Sequence, residues 1–540
     1  MMDWGTHLAF ASPIILVALA FVTPLASLLT KRRSFYAAIL LLGALVAMLA
    51  SLRIASLVVE RKIVTYFFGG WAPPLGIAYE VDALNAFLGM VLSLAMLVSA
   101  LHCFWYYRYL VDGWEWMTTL MLLLFAGILG IVYTGDLFNL FVMLEVVCIA
   151  SYGLVAFFRR RKWAIEAATS YAFAGSLATT IYLLGAFVVY ASLGTLAMSD
   201  AAAKLSNVAT WMSSVSGTPF GNPTVASCVA LATMLWALTF EAGLFPNYFW
   251  IPSAYAEAPT PASTVFACAV DKAALYACVR LLATVFSVAS VINAVTLGNQ
   301  SLRNLVLLTL ALLGVVGGFA GAVAMAMQRD VKKFLAYSTI SHVGCMYILF
   351  PALTRGTASI ALAALCLYVF MHVLGESLLF VALGSLATIV NSRRIEKIVS
   401  VARSNRLLGA LCLVAMLNMI GLPPLPGFFA KYLSVVALLE ANAVPLAIAL
   451  ITISGISAVG YLKLFTSLWP LRRASMQGGG EVSKEHDLLI PTAICLALAI
   501  AMIMVGLWLS IPTNLENATK FLGFVGTEEG WRLYIYATKP

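Results

Sequence analysis

Seven ionisable side chains lie inside long apolar stretches of this sequence, where they could carry protons or sodium ions. A charge at the centre of a bilayer costs about 2.5–3.5 kcal/mol on insertion scales, so each such residue needs a partner or a function. Ion transport suits these residue types, because burial brings the pKa values of Lys and Glu towards neutrality and His titrates near neutrality already. The candidate ion-translocation residues are Glu145, Glu241, Lys272, His342, His372, Glu376 and Lys431.

Each candidate also has a purely structural interpretation, and the sequence leaves both open. For Lys272, Lys431 and Glu145 the alternative is a fixed buried ion pair that holds helices together. For the two histidines it is a satisfied interior hydrogen bond, and the other two glutamates are equally open. Charges at span ends could be only capping or topology residues, namely Asp136, Glu166, Asp330, Lys332 and Lys333.

Spacing along the predicted helices suggests how two neighbouring pairs are arranged. Asp271 directly precedes Lys272, about 100° away on a helix, so we expect Lys272 to face the interior while Asp271 pairs elsewhere. His372 and Glu376 are four residues apart and should share one helix face, within hydrogen-bonding distance.

The elements that position these residues are predicted to be transmembrane helices. Of the 540 residues, 62% are hydrophobic and 10% are charged, whereas soluble domains carry about 25% charged residues. Apolar runs of about 20 residues recur, each long enough to cross a bilayer, and they lack the period-2 alternation of a β-barrel. We predict an all-α polytopic membrane protein with fourteen spans, at about 8–30, 35–58, 83–106, 116–134, 136–158, 165–191, 223–246, 260–288, 303–327, 333–352, 358–389, 406–440, 443–468 and 487–511.

The distribution of basic residues predicts the orientation of this bundle in the cell membrane. Loops after odd-numbered spans hold 19 Lys and Arg, and loops on the other side hold nine. By the positive-inside rule both termini lie outside the cytoplasm. The first span has Lys31-Arg32-Arg33 after it rather than before it, so it is not expected to be a cleaved signal peptide. The net charge of +9 is then a topology signal and not a sign of nucleic-acid binding.

No motif for a cofactor or a metal is found in the sequence. The nine cysteines occur singly, with neither CxxC nor Cys/His ligand spacing, and there is no Walker loop or GxGxxG. We therefore expect no catalytic residue, metal, cofactor or redox centre in this chain. Three longer segments are expected to be aqueous: 59–82 as a small hairpin, 192–222, and 469–486 as a flexible loop around Gly478-Gly479-Gly480.

Two predicted spans are interrupted by helix breakers at matching positions. One contains Gly243-Leu244-Phe245-Pro246 and the other Gly421-Leu422-Pro423-Pro424, so the two glycines are 178 residues, or five spans, apart. Paired breaks in the two halves of a transporter indicate an internal repeat with the transport site at the breaks, and an odd number of spans makes the repeats inverted. The alternative is that proline is simply tolerated in these membrane helices.

These motifs together resemble the antiporter-like subunits shared by respiratory complex I, membrane-bound hydrogenases and Mrp cation/proton antiporters. The resemblance extends from about residue 64 to residue 470. The matching segments are Asp136 to Phe141 with Glu145, Ala242 to Pro246, Trp250 to Pro252, Ala258 to Pro261, Lys272 to Tyr276 with Arg280, Gln328 to Lys332, Ala336 to His342, and Gly421 to Lys431.

The resemblance implies two inverted five-helix repeats with broken helices 7 and 12. The implied division is residues 1–115 for helices 1–3, 116–288 and 289–468 for the repeats, and 469–540 for a loop, the last helix and a short tail. It implies roles as well: Glu145 as the entry-side acid, Lys272 as the central proton carrier, His342 as a relay and Lys431 as the exit-side carrier.

Two residues depart from the pattern of this family. Where a lysine usually precedes Ala-Gly-Leu-Phe-Pro the chain has Glu241, and where a second lysine is common on the eleventh helix it has Glu376. The usual Glu–Lys pair would become Glu145 facing Glu241, and neighbouring carboxylates share a proton or bind a cation. Altered proton coupling, a sodium site and loss of pumping all remain open, with a proton path favoured.

The main functional hypothesis is a proton-translocating subunit of a redox-driven membrane complex, whose electron-transfer chemistry lies on other membrane subunits. One alternative is an Mrp-type Na⁺/H⁺ antiporter subunit, and another is a structural subunit that no longer pumps. Because the chain ends about 29 residues after the last predicted span, we expect a shorter complex I, hydrogenase or Mrp D-type subunit. The expected partners are other membrane subunits, the lipid bilayer, protons and possible Na⁺ ions, with no nucleic acid.

Overall fold

The computed structural model describes residues 4–214, 222–354, 356–468 and 488–537, and these ranges are dominated by helices. The N-terminal part contains one β-hairpin, β1 (Val64–Phe67) and β2 (Ala78–Val81), paired antiparallel with Val64 opposite Val81. This hairpin confirms the prediction for residues 59–82. The helices of this part are α1 Trp4–Phe10, α2 Ser12–Ala26, α3 Arg33–Arg61, α4 Ala83–Tyr106, α5 Trp114–Tyr133, α6 Leu137–Val155, α7 Lys162–Leu193, α8 Met198–Ser206 and α9 Val208–Ser214.

The remainder of the chain is a second series of helices with one very short strand pair, β3 (Thr296–Leu297) and β4 (Gln300–Ser301). Its helices are α10 Pro223–Glu241, α11 Ile251–Glu257, α12 Thr260–Val265, α13 Asp271–Arg280, α14 Val291–Ala294, α15 Leu302–Met327, α16 Val331–Ile348, α17 Ala358–Val390, α18 Ile395–Ser404, α19 Arg406–Ile420, α20 Pro426–Glu440, α21 Val444–Leu468, α22 Leu489–Leu509, α23 Pro512–Leu522 and α24 Glu528–Tyr536.

In the described ranges, eleven helices are long and apolar enough to cross a membrane, or twelve if the bent pair α1–α2 forms one span. The polytopic helical class is therefore confirmed, whereas the count of fourteen stays a prediction. The two remaining predicted spans, 260–288 and 406–440, are not single apolar helices. The first carries three charges and consists of α12 and α13 with a π-helical turn after each, at Phe266–Val270 and Leu281–Val285, and the second is broken into α19 and α20.

The predicted seventh span needs a correction, because its helix ends at Glu241 and not at 246. Gly243 has a φ of +71°, which a helix cannot contain, and Pro246 has no N–H to donate. The chain then continues through a 3₁₀ turn at Asn247–Trp250 and α11. A glycine with positive φ therefore follows α10, as Gly421 follows α19 with a φ of +92°.

One face of the bundle is formed by the hairpin and both ends of the described chain; we call it the hairpin face (residues 4–10, 62–82, 134–136 and 524–537). His7 hydrogen-bonds to Tyr66 at 3.1 Å, and Lys62 pairs with Glu529 at 2.7 Å. The opposite face carries Arg393, which binds Glu257 at 2.9 Å and Asp330 at 3.0 Å. Five basic residues used for the topology prediction lie outside the described residues, as does the loop 469–486: Arg355, Arg472, Arg473, Lys484 and Lys539.

Candidate ion-translocation site

Glu241 ends α10 beside the first break and is almost fully buried. Its two carboxyl oxygens accept hydrogen bonds from Cys148 Sγ on α6 and Tyr171 Oη on α7, both at 3.1 Å. Glu145 lies one turn before Cys148, is half-buried, and is near enough for its charge to act on Glu241. The structure thus brings the two predicted carboxyl groups into electrostatic contact, with the thiol of Cys148 bound to one of them.

Lys272 lies near the start of α13 and is completely buried. Its ammonium group donates to Asp271 Oδ2 at 2.7 Å and to the carbonyl of Ala267, in the preceding π-helical turn, at 2.8 Å. The expectation that Asp271 pairs elsewhere is therefore wrong. Neighbouring side chains do leave a helix about 100° apart, but the four-carbon lysine stem curls back to the adjacent carboxylate. Two of the three N–H donors of Lys272 are used in these contacts.

A chain of hydroxyl groups joins Glu376 on α17 to His342 on α16. Ser338 donates to Glu376 Oε1 and hydrogen-bonds to Tyr461 of α21 at 2.6 Å. Tyr461 in turn meets His342 Nε2 at 3.2 Å, and Tyr368 meets His342 Nδ1 at 3.1 Å. Because Ser338 donates to Glu376, Tyr461 can donate to Ser338 and His342 can donate to Tyr461. Each group in this chain then accepts a proton on one side and donates one on the other, as a proton relay requires.

His372 lies against this relay without joining it by a hydrogen bond. Its Nε2 is 3.7 Å from Glu376 Oε1, so the expected hydrogen bond between these side chains is wrong. Within the described part of the chain, neither ring nitrogen of His372 has a hydrogen-bond partner. Its ring centroid is 5.1 Å from that of His342, so the two imidazoles are close enough to interact electrostatically.

Lys431 on α20 reaches back across the second break. Its ammonium group donates to the carbonyls of Met419 at 2.8 Å and Ile420 at 3.0 Å, which are the last residues of α19. A helix C-terminus carries partial negative charge, and a cation is stabilising there. Lys431 is therefore bound to backbone and not to a carboxylate.

Most of these groups form one electrostatically connected row through the molecule. The charge of Lys272 acts on His342, His372 and Glu376. The charge of Lys431 also acts on His342, so the relay at α16 lies between the two lysines. Five of the seven predicted residues are connected in this way, and Glu145 and Glu241 form a separate acidic pair beside the first break.

A further buried lysine, which the sequence analysis treated as a topology charge, lies towards the opposite face. Lys332 donates to the Ala258 carbonyl at 2.6 Å and to Ser263 Oγ at 3.2 Å. It lines a polar cavity of about 740 Å³ together with Arg161 and Glu257. Its burial results from tertiary packing and left no local signal.

Asp136 and Asp330 behave as the capping interpretation predicted. Asp136 accepts from the backbone N–H groups of Phe138 and Asn139 at the start of α6, and Asp330 does so for the first turn of α16. In the described ranges, no three His, Cys, Asp or Glu side chains converge closely enough to hold a metal ion.

The fold and this row of buried charges define an antiporter-like membrane subunit. Residues 134–457, more than half of the chain, match the family model NADH:quinone oxidoreductase/Mrp antiporter, TM. The chain belongs to this family, which confirms the resemblance found in the sequence.

Both branches of the family contain similar proteins. NADH-quinone oxidoreductase subunit N of Desulforudis audaxviator is 31% identical over 461 residues, covering 85% of this chain and 86% of the relative. The D-type subunit of the Na(+)/H(+) antiporter of Alkalihalophilus pseudofirmus is 28% identical over 424 residues, covering 78% of each. A chain of the membrane-bound sulfane sulfur reductase, an archaeal respiratory membrane complex, has the same fold, with a TM-score of 0.82, 24% identity and 99% of both chains covered.

Proposed function

We propose that this chain translocates protons as one membrane subunit of a multisubunit redox-driven complex. The observation that supports this most strongly is the row of buried titratable groups that begins at Glu145 and Glu241, passes Lys272 and His342, and ends at Lys431. Such groups inside a membrane protein mark ion pathways. The electron-transfer chemistry would be carried out by other subunits, as the relation to NADH-quinone oxidoreductase subunit N suggests.

Each member of the row takes a role that follows from its surroundings. Glu145 and Glu241 form the entry pair, in which a proton or cation is shared. Lys272 is the central carrier, and Asp271 holds its ammonium form in place. Glu376, the hydroxyl groups of Ser338 and Tyr461, and His342 relay the proton towards Lys431, the exit-side carrier. His372 makes no hydrogen bond to this relay and acts on it electrostatically.

The topology follows from the same proposal. The two inverted repeats span residues 116–288 and 289–468, so that each contributes one broken helix, and helices 1–3 and the segment 469–540 pack around them. The hairpin face, with both termini, lies outside the cytoplasm, and the cavity beside Lys332 is the cytoplasmic approach to the row. Neighbouring membrane subunits cover the outside of the bundle in the lipid bilayer.

A second candidate is an Mrp-type Na⁺/H⁺ antiporter subunit. The neighbouring carboxyl groups of Glu145 and Glu241 favour it, because paired carboxylates can bind a cation, and so does the similarity to the D-type antiporter subunit of Alkalihalophilus pseudofirmus. A structural subunit without transport is the third candidate.

Flux measurements on the native complex in liposomes test these three candidates. Proton and sodium fluxes are recorded for wild type, Lys272→Ala, and the control Lys520→Ala, whose exposed side chain pairs with Glu516 at the surface. The proposal expects donor-dependent proton flux that collapses in Lys272→Ala alone. Proton movement driven by a sodium gradient without a donor would establish the antiporter, and wild-type flux in Lys272→Ala would establish the structural subunit.

A further inference from the structure

One face of α13 carries three polar side chains in regular succession from the centre of the bundle to the hairpin face. Lys272, Tyr276 and Arg280 are spaced at four-residue intervals, which places them on one side of the helix over about 12 Å. All three are at least 97% buried. The proposed path to Lys431 uses only the first of them.

The first link along this face joins Lys272 to Tyr276. Both side chains line a small cavity of about 10 Å³ between α4, α13 and α17, which is near the volume that one water molecule requires. Lys272 has one N–H donor beyond those bound to Asp271 and Ala267, and Tyr276 contributes a hydroxyl group that can both accept and donate.

The second link joins Tyr276 to the carboxyl groups behind the hairpin. Arg280 donates from Nε to the Tyr276 hydroxyl at 3.0 Å and from Nη1 to Asp82 Oδ2 at 2.6 Å. Its guanidinium group lies 4.9 Å from the ring centroid of Tyr534 in α24. Because arginine does not give up its proton in proteins, Arg280 positions the groups around it and does not itself carry a proton.

Glu80 of β2 completes this cluster and is 1% exposed. Its Oε1 accepts from Ser199 at 2.6 Å, while its Oε2 has no hydrogen-bond partner of good geometry among the described residues. Room for the carboxyl group depends on Gly135, since a Cβ there would lie 2.5 Å from Glu80 Cδ. The hydroxyl of Tyr534 approaches the same carboxyl group.

The charges of the cluster indicate which carboxyl group holds an exchangeable proton. The guanidinium group of Arg280 pairs with Asp82 and also acts on Glu80, and Glu80 lies close enough to Asp136 for the two carboxyl groups to interact. Asp82 is paired with Arg280 and caps α4, and Asp136 caps α6, so both have donors that favour the anion. Burial raises the pKa of Asp136 and raises that of Glu80 to about 7. Of the three, Glu80 is the group with a fully buried oxygen that has no hydrogen-bond partner among the described residues.

We infer that Lys272 also exchanges protons with the hairpin face, through the Tyr276 hydroxyl and with Glu80 as the terminal proton-exchanging group. The ammonium group of Lys272 passes a proton through water to Tyr276. The hydroxyl proton of Tyr276 then passes through water beside the guanidinium group of Arg280, where Arg280 Nη2 and Glu80 Oε2 are both buried without a direct hydrogen-bond partner among the described residues. Glu80 receives it as a carboxylic acid and releases it at the hairpin face; Tyr276 regains its original state by rotation of its hydroxyl. One proton moves and no further reactant is consumed. This second route depends on the proposed function, because it starts from the same lysine.

The test compares four variants of the reconstituted native complex: Glu80→Gln, Tyr276→Phe, Lys272→Ala and Glu529→Gln. The first two keep side-chain shape: Glu80→Gln replaces the titratable carboxyl group with an amide, and Tyr276→Phe removes the hydroxyl group that accepts from Arg280. Glu529 is the matched control, an exposed glutamate paired with Lys62 on the same face. We expect proton flux to fall about 10-fold in Glu80→Gln and Tyr276→Phe, to collapse in Lys272→Ala, and to stay at the wild-type value in Glu529→Gln.

The other outcomes separate the two proposals. If flux collapses in Lys272→Ala while Glu80→Gln and Tyr276→Phe equal wild type, the proposed function stands and this route is refuted. If proton flux falls in Glu80→Gln but not in Tyr276→Phe, protons reach Glu80 without passing Tyr276, and the route along α13 is refuted. Wild-type flux in all four variants refutes both.

An infrared pH titration of the purified complex gives a readout that does not depend on transport. The difference between wild type and Glu80→Gln should contain a carboxylic-acid band that is lost between about pH 6 and pH 8. A carboxyl group already ionised at pH 5 would refute the role of Glu80, even if the variant were slow for another reason.

Discussion

The two broken helices have similar backbones but opposite charges. At the first break, α10 ends in the carboxyl group of Glu241, and its terminal carbonyl at Phe240 accepts from the neutral indole N–H of Trp250 at 3.1 Å. At the second, α19 ends in carbonyls that accept from the ammonium group of Lys431. The same half-helix terminus is thus combined with an acid in one repeat and a base in the other.

Because of this difference, the charge of Lys431 is stabilised by its surroundings, whereas a charge on Glu241 is not. The helix dipole stabilises an ammonium group at the end of α19, whereas an ionised Glu241 would face both the negative end of α10 and Glu145. Gain or loss of a proton therefore changes the electrostatic energy most at the first break. This difference supports the proposed roles, in which a proton or cation is taken up at the first break and the ammonium group of Lys431 is held at the second.

The largest effect is expected from removal of the cation at the second break. Lys431→Met keeps the stem but leaves the carbonyls of Met419 and Ile420 without a charged donor, which should cost about 1.5–3 kcal/mol of stability. Proton flux should fall about 100-fold, because the proposed exit-side carrier is lost. Flux in the reconstituted complex and thermal unfolding measure the two effects; a stable Lys431→Met protein with normal flux would remove the contrast between the breaks.

The glycines at the breaks provide a matched pair of substitutions. Gly243 and Gly421 have φ values of +71° and +92°, so alanine should destabilise either break by about 1–2 kcal/mol. A Cβ at position 421 would lie 2.8 Å from Lys431 Cδ, whereas one at 243 would meet Ile251. We expect flux per folded complex to fall about 10-fold in Gly421→Ala and to stay unchanged in Gly243→Ala; equal flux losses would contradict this assignment.

A smaller effect is expected from neutralising the acid at the first break. Glu241→Gln keeps only one of the two oxygens that accept from Cys148 and Tyr171. Because it cannot release a proton, flux should fall by a factor of about 5–10. The fall should be less than in Lys431→Met, because Glu145 remains to take up the ion. Glu166→Gln is a suitable control, since this exposed glutamate has the same shape outside the row; a larger loss in Glu241→Gln than in Lys431→Met would reverse the order of the breaks.

The last effect is on stability and not on flux, and it concerns Glu80, a buried carboxyl group that, like Glu241, has no salt-bridge partner among the described residues. Its pKa of about 7 exceeds the ordinary value of 4.5 because burial disfavours the anion. Between these values folded Glu80 keeps the proton that the unfolded chain loses, so stability falls as pH rises from 4.5 to 7 and is level above. The slope is on the order of 1 kcal/mol per pH unit. Thermal unfolding of Glu80→Gln should show a shallower slope than wild type, and equal slopes would count against it.

The sequence was sufficient for most of the scaffold but not for its contacts. Apolar runs predicted the helical class, and the glycine–proline groups predicted both breaks, because these signals are local. The prediction that Asp271 pairs elsewhere was wrong, since helical phase gives the direction in which the Lys272 side chain leaves the helix and not the position of its ammonium group. Tyr461 and Ser338 were missed because hydroxyl groups are common in membrane helices, and only packing shows which of them align.

Glu80 and Lys332 were missed for a related reason. Both lie next to turns, where a charged residue usually meets water, and nothing in their neighbours along the chain reveals that other segments cover them. Glu80 is enclosed by α8 and α24, which are far away in sequence. Burial of this kind depends on contacts between distant segments, which one sequence does not report.

The π-helical turn at Phe266–Val270 has a consequence for the phase of the helix that follows it. An α-helix advances about 100° per residue, so a turn that is wider by one residue rotates the downstream segment by roughly that angle. The π-helical turn therefore sets the side of the helix on which Lys272, Tyr276 and Arg280 all lie, because it precedes all three in the chain. Deleting one residue from this turn would re-aim a whole polar stripe at once while leaving each of its side chains chemically intact.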